Sequence, residues 1–242
     1  MPFTFSHPIA VLPLAYLPKR WVSLTGLIIG SVIPDFEYFL RMRMQSDYSH
    51  TLGGVFWLDL PLAVVLAFTF HNIVRDALFD NLPGFLQTRF AGYKQFDWNS
   101  YFKKNWIVVI VSVLIGIFSH LLWDSFTHET GWFVERYGWF GEIVGIGGLQ
   151  LPVFKILQYS STVLGGLALL LVVWKMPAGN IPTVKVNIRY WIVFVAIVAL
   201  ILLVRLLTGL NYKLYGHVIV NFISALLMAL ILTPLLIKKC KV

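Results

Sequence analysis

Charge is what this sequence most lacks. Of 242 residues only 12% are Asp, Glu, Lys or Arg, about half of the roughly 25% found in ordinary soluble domains. Cysteine is nearly missing: Cys240 stands alone between lysines close to the C-terminus, so no intramolecular disulfide can form and a disulfide-framed secreted fold is excluded. There is no Walker sequence, no G-x-G-x-x-G after a strand and no G-x-S-x-G, which removes the familiar nucleotide and serine-hydrolase signatures. Acidic residues stop early, since all 11 lie at or before Glu142. What the chain has in abundance is apolar: 58% of residues are hydrophobic and the mean hydropathy is +0.78. Such a composition excludes a disordered chain and a soluble globular domain. Several apolar runs approach the roughly 20 residues needed to cross a hydrocarbon core about 30 Å thick.

The chain therefore reads as all-α, a polytopic helical membrane protein with about six transmembrane helices. Hydropathy places the spans near 21–40, 54–72, 105–123, 153–174, 190–208 and 216–237. A shorter stretch, Pro8 to Pro18, precedes Lys19 and Arg20 and reads as an N-terminal partial or re-entrant helix. The first residues lack the basic flank and cleavage site of a signal peptide. Residues 1–140 form a half that carries the candidate site, and 141–242 a three-span half with basic loops. Lys19, Arg20, Arg75, Arg89, Lys94, Lys103, Lys104, Lys175, Lys185, Arg189, Lys238, Lys239 and Lys241 fall in one set of loops, against Arg41, Arg43, Arg136 and Lys213 in the other. The positive-inside rule puts the richer set, and the C-terminus, in the cytoplasm of a cell-membrane protein. The formal charge of +8 is then a topology signal and implies no nucleic-acid partner. The aromatic and basic stretch around Arg89, Tyr93, Lys94 and Trp98 reads as a membrane-interface segment.

In so apolar a chain, ionisable groups at membrane depth are costly and each marks a functional-site hypothesis. Three groups stand out: Phe5-Ser6-His7-Pro8; Gly30 to Glu37 with Asp47-Tyr48-Ser49-His50-Thr51; and Ser119-His120 to Asp124 and His128. On a helix His120, Asp124 and His128 fall within an arc of about 80°, with about 6 Å of rise between neighbours. His120 and Asp124 can share one ion, while His128 could serve a second bridged by Asp124. With Lys19 and Arg20 as the turn of a helical hairpin, His7 and Asp35 reach nearly the same depth, about 18 and 22 Å from it. Asp35, His50, His120, Asp124 and His128 all emerge on the extracytoplasmic side. Pro34 bends the helix beside Asp35. Imidazole with carboxylate suits Zn²⁺ best, with Mn²⁺ or Fe²⁺ as alternatives. Glu37 is a candidate general base, Asp59 a candidate partner orienting a ligand histidine, and Arg205 a candidate phosphate group holder, although its snorkelling to the interface is the stronger explanation.

The order His7, Gly30-x-x-x-Pro34-Asp35, Ser49-His50-Thr51 and His120-x-x-x-Asp124 resembles the bacterial membrane-bound metal-dependent hydrolases and related membrane families of unknown function. More distantly it resembles the all-helical zinc-dependent phospholipase C and single-strand nuclease fold. The resemblance covers about the first 130 residues. It implies His7, Asp35, His50, His120 and Asp124 as metal ligands, with one or two ions and Asp124 as the bridge. The corresponding expectation is a hydrolase that uses metal-activated water on a phosphoester or ester of a lipid or membrane-proximal substrate. The alternative is a non-catalytic membrane protein in which the same residues form a structural metal site or relay ions.

Overall fold

A backbone surrounded by hydrocarbon has to satisfy its own hydrogen bonds, and the apolar runs of this chain accordingly fold as helices. The computed structural model describes residues 4–179 and 182–238; Lys239, Cys240 and Lys241, which entered the charge and thiol readings, lie outside the described residues. After a 3-10 turn, Thr4–Ser6, come α1 (Pro8–Val11), a second 3-10 turn (Leu12–Tyr16), α2 (Leu24–Val32), α3 (Phe36–Arg41), α4 (Leu52–Asn81), α5 (Gly84–Lys94), α6 (Trp98–Thr127) and α7 (Trp132–Arg136). A hairpin of β1 (Ile143–Ile146) and β2 (Leu149–Pro152) follows, then α8 (Val153–Lys175), α9 (Ile188–Leu207) and α10 (Tyr215–Lys238). Among the described residues, five helical segments are long and apolar enough to cross a membrane: Leu52–Asn81, Trp98–Arg136, Val153–Lys175, Ile188–Leu207 and Tyr215–Ile237.

The sequence placed a continuous helix over 21–40, and there the chain is broken. The segment folds as α2, a 3-10 turn at Ile33–Asp35, and α3. Pro34 supplies no amide proton for the helical ladder and its ring crowds the preceding turn, so the break falls at Pro34-Asp35. By contrast α4 runs past the expected end at 72, through two π-helical stretches, Val55–Asp59 and Phe70–Val74. The β-hairpin was not foreseen in the all-α reading. Its two-residue loop is Gly147-Gly148, with φ of +57° and +85°; glycine enters this left-handed region without penalty, and the geometry suits the twist of a tight hairpin.

The chain forms two compact units, each assembled from separate stretches. The first takes the residues up to Pro34, Tyr48–Ala63 and Asn105–Lys175. Its organising contact is a glycine-mediated crossing of α2 on α6. A Cβ at Gly30 would lie 2.2 Å from the Val113 carbonyl oxygen, one at Gly26 2.9 Å from Val109 O, and one at Gly116 2.6 Å from Leu27 O. Small residues spaced four apart let two helix backbones approach this closely. Ser23 caps α2, accepting from Gly26 N at 3.3 Å, while its own amide donates to Ser112 Oγ on α6 at 2.8 Å. Val11, Val22 and Leu27 seal α1 against the start of α2. Gly165 of α8 brings that helix onto Ser6, since a Cβ there would meet Ser6 Cβ at 2.8 Å.

The second unit comprises Asp35–Asp47, Val64–Lys104 and the stretch from Met176 onward. Phe194 and Val198 of α9 pack on Ala225 and Ala229 of α10. Polar fastenings are concentrated at chain turns. The Met42 carbonyl accepts from Asn221 Nδ2 at 2.7 Å, and Ser224 Oγ donates to Phe39 O at 2.9 Å. Gln87 ties two loops together by donating to the carbonyls of Asp80, Leu82 and Val184 and accepting from Val184 N.

The α2–α6 crossing predicts a contrast between two identical substitutions. Gly30→Ala should lower the unfolding temperature in detergent, at a cost of about 1–3 kcal/mol for overpacking. Gly166→Ala, where nothing lies within 4 Å of an added Cβ, should be neutral or stabilising by up to about 1 kcal/mol. Equal effects would mean that the close crossing does not hold in the folded protein.

Candidate metal centre

The glycine crossing sets the position of His120. One turn beyond Gly116, its ring is wholly buried, and Nδ1 lies 2.8 Å from the Ser31 carbonyl oxygen, one residue beyond Gly30. A carbonyl only accepts, so Nδ1 carries the proton and Nε2 is the nitrogen presented to the site. Four residues on, Asp124 lies 3.2 Å away, Oδ2 to His120 Nε2, on the same face of α6 as the i, i+4 spacing requires.

Three more histidines converge on this carboxylate. His7 Nε2 lies 3.6 Å from Asp124 Oδ1, His50 Nε2 3.6 Å from Oδ2, and His128 Nδ1 3.5 Å from Oδ1. His7 stands between the first 3-10 turn and α1, where Pro8 begins the helix, and its ring stacks on His120 with centroids 3.9 Å apart. His50 reaches the group from a tight turn in which its own φ is +66°. That left-handed conformation costs a non-glycine residue about 1 kcal/mol. The following residues hold it: Thr51 Oγ1 donates to Tyr48 O and accepts from Gly54 N, capping α4. A Cβ at Gly54 would lie 1.9 Å from Tyr48 O, so the turn requires glycine there. Asp35 closes the 3-10 turn at the end of α2 and is 1% exposed. Ligand-type atoms of Asp35, His50, His120 and Asp124 all lie within 4.8 Å of one another.

The set can bind a metal ion, and two physical features favour it. The first is spacing. Two ligands each about 2.0–2.1 Å from a tetrahedral ion are about 3.3 Å apart, and the contacts of His7, His50 and His120 Nε2 to Asp124 run from 3.2 to 3.6 Å. Direct N–H···O bonds run nearer 2.9–3.0 Å. The second is charge. Two carboxylates are buried here, at 1% and 8% exposure, and each uncompensated buried ion costs several kcal/mol. One divalent cation would offset both.

The two carboxylate oxygens of Asp124 face different partners. Oδ2 meets His50 and His120, and Oδ1 meets His7 and His128. His128 Nδ1 also lies 3.1 Å from the Asp124 main-chain carbonyl, so its proton is on Nδ1 and an ion could meet this ring only at Nε2.

Glu37, Arg205 and His71 are held by other partners. Glu37 lies on α3 in the second unit, where Oε1 accepts from Arg41 Nε at 2.8 Å and Asp47 N at 3.0 Å, and Oε2 from Ser46 Oγ at 3.0 Å. It braces the 42–47 loop. Arg205 donates from Nε to Asn221 Oδ1 at 2.8 Å, a fastening within the second unit. Asp59 is buried in the first π-helical stretch of α4. His71, at the far part of α4, stacks on Trp98 with centroids 4.7 Å apart and takes Arg75 Nη1 at 3.2 Å. Missing from the sequence reading were Ser31, whose carbonyl orients His120, and the glycines that bring it there. The Gly26-x-x-x-Gly30 spacing was the visible signal.

Fold and site together define a helical protein of membrane-spanning character with a buried His/Asp centre suited to a metal ion. The chain belongs to the family described as a domain of unknown function, DUF4184, which it matches over residues 1–235. That match takes in four of the five long helices and all but the last residues of the fifth. No curated protein matches the chain, and no solved structure does. The likeness to metal-dependent hydrolases thus rests on the order and spacing of the His and Asp residues alone.

Metal analysis of the purified protein tests the centre directly. After incubation with Zn²⁺ and desalting, the protein should retain one or two equivalents, and Asp124→Ala and His120→Ala should retain none while Glu37→Gln retains the full amount. Zn²⁺ at 100 times its dissociation constant should add about 2.7 kcal/mol to stability, visible as a rise in melting temperature that both ligand variants lose. Wild-type protein that neither retains metal nor shifts in melting would remove the centre.

Proposed function

We propose that this protein is a metal-dependent hydrolase of the membrane, acting on a phosphoester or ester of a lipid or membrane-proximal substrate. The observation that carries the reading is the convergence of four histidine nitrogens on one buried carboxylate, with Asp35 beside them. Asp35, His50, His120 and Asp124 would hold a first ion, with Zn²⁺ the best fit to a mixed imidazole and carboxylate set. His7, and His128 through Nε2, would hold a second, with Asp124 bridging. When bound, such an ion lowers the pKa of a coordinated water to about 7 and polarises the ester oxygen.

The rest is the work of the chain. His120 is held by the Ser31 carbonyl, and its neutral tautomer presents Nε2, as an orienting hydrogen bond on the far nitrogen does for metal-bound histidines generally. Asp124 stands between the imidazoles, with Oδ2 toward His50 and His120 and Oδ1 toward His7 and His128. His50 and His128, each with side chains about one quarter exposed, mark the side by which substrate enters. His7 and His120, stacked and buried, form the closed floor that excludes bulk water.

The broken segment Leu24–Arg41 would provide a sixth passage, with Asp35 at its break. By the distribution of Lys and Arg the loops bearing Lys94 and Lys185 face the cytoplasm, and the centre faces the extracytoplasmic side. A centre at that depth favours a lipid-like substrate.

Turnover of phosphodiester, phosphomonoester and lipid ester substrates by Zn²⁺-loaded protein in vesicles tests the chemistry. Wild type should hydrolyse one class. Asp35→Asn should reduce the rate by more than the 10- to 100-fold typical of losing a group behind a ligand (about 1.4–2.7 kcal/mol). Full metal binding with no hydrolysis by wild type would leave the centre a structural or transport element.

Topology has its own readout. In a Cys240→Ser background, Glu129→Cys should react with an impermeant maleimide in intact cells and Lys94→Cys only after permeabilisation. The reverse pattern would overturn the placement of the centre.

A further inference from the structure

A strand in a folded protein ordinarily buries one face, and the β1–β2 hairpin of the first unit buries neither. All four residues of β1 are exposed, as are Leu149 and Gln150 of β2. The register pairs Val144 with Leu151 and Ile146 with Leu149. Paired residues of an antiparallel ladder point to the same side, and alternate positions share it. One face is therefore Val144, Ile146, Leu149 and Leu151, wholly apolar, with Ile146 51% and Leu149 64% exposed. The opposite face carries Ile143, Gly145, Gln150 and Pro152. One face is thus wholly apolar and mostly exposed, and the single polar side chain of the hairpin, Gln150, lies on the other.

We propose that this hairpin is a membrane-interface anchor whose apolar face lies on the bilayer surface. Three observations select lipid as the occupant. First, the hairpin is continuous with a candidate span: β2 ends at Pro152 and α8 begins at Val153, so its base is held where that helix meets the interface. Second, the preceding segment exposes Trp132, Tyr137 and Trp139, the aromatic residues that gather at the headgroup level. Third, no ionisable residue occurs between Glu142 and Lys155.

The same geometry fixes the depth. Four residues per strand reach about 13 Å, but the sheet has only two strands, and the outer edge of each leaves main-chain groups that hydrocarbon cannot satisfy. The hairpin thus lies along the boundary of headgroups and acyl chains, as interfacial segments do at about 5–10 Å depth. The segment that precedes it is tied to α6 near the candidate centre: Phe126 stacks on Phe133 of α7 at 4.0 Å and lies 6.0 Å from Phe140. On the hydrolase reading, which this anchor does not depend on, lipid would meet the protein at the end of α6 that bears Asp124 and His128.

Spin labels on single cysteines in the full-length Cys240→Ser protein, reconstituted in phosphatidylcholine vesicles, test the proposal without reference to activity. Labels at Ile146→Cys and Leu149→Cys should collide with oxygen several-fold more than with a water-soluble nickel chelate, approaching the ratio at Leu164→Cys on α8. The label at Gln150→Cys, on the opposite face, should favour the chelate by comparison. Chelate access at Ile146 and Leu149 equal to that at Lys185→Cys would put the hairpin in water and overturn the proposal. So would exclusion of both reagents with dipolar broadening between labels, which would mean that a second copy covers the face. Using two apolar-face sites keeps the test decisive if one variant fails to fold.

Discussion

A carboxylate at 8% exposure among apolar helices must be met by something, and around Asp124 the answer is four imidazoles contributed by widely separated parts of the chain. His7 comes from the first turn, His50 from the loop before α4, His120 from α6 and His128 from the residue just past its end. Each of these segments has to arrive within a few ångströms of the same two oxygens. The local structure of the first unit reads as the set of devices that bring them there: Pro8 starting a helix behind His7, the Thr51 cap and Gly54 holding His50 in a left-handed turn, and Pro34 ending α2 beside Asp35.

The glycine crossing of α2 and α6 is the device on which the others rest. In lipid there is no hydrophobic force to press helices together, so close backbone approach and specific polar contacts have to do it. Gly26, Gly30 and Gly116 bring the backbones near enough for Ser23 N to reach Ser112 Oγ at one end and His120 Nδ1 to reach Ser31 O at the other. The second contact also fixes a tautomer, so a packing feature decides which nitrogen the histidine offers. Structure and chemistry are coupled at that one hydrogen bond.

The second unit uses its scarce polar residues differently. Glu37, Arg41, Gln87, Arg205 and Asn221 all hold main chain or one another at loops and helix ends. Read as isolated ionisable groups in an apolar sequence, Glu37 and Arg205 look much like Asp35 and Asp124. Only their neighbours separate them: Glu37 accepts from an arginine, a serine and an amide, whereas Asp124 is ringed by imidazoles.

Much of this protein was legible before folding was considered. Low charge and long apolar runs determine helices of membrane-spanning character, since no other local structure satisfies the backbone in lipid. The i, i+4 spacing of His120, Asp124 and His128 determines a shared helix face, because 3.6 residues per turn leaves no alternative. The break at Pro34 was visible as a bend, though its severity was not: whether proline kinks or ends a helix depends on what receives the freed groups. Even the hairpin had a signal in Gly147-Gly148, obscured by the helical pattern on either side. Tertiary structure alone decided that residues as distant as His7, His50 and His120 meet, and that His120 is oriented by a backbone carbonyl 89 positions away. Backbone carbonyls look the same at every position of a sequence. Which one lies opposite a given side chain is settled only when two helices pack, and here three glycines settle it.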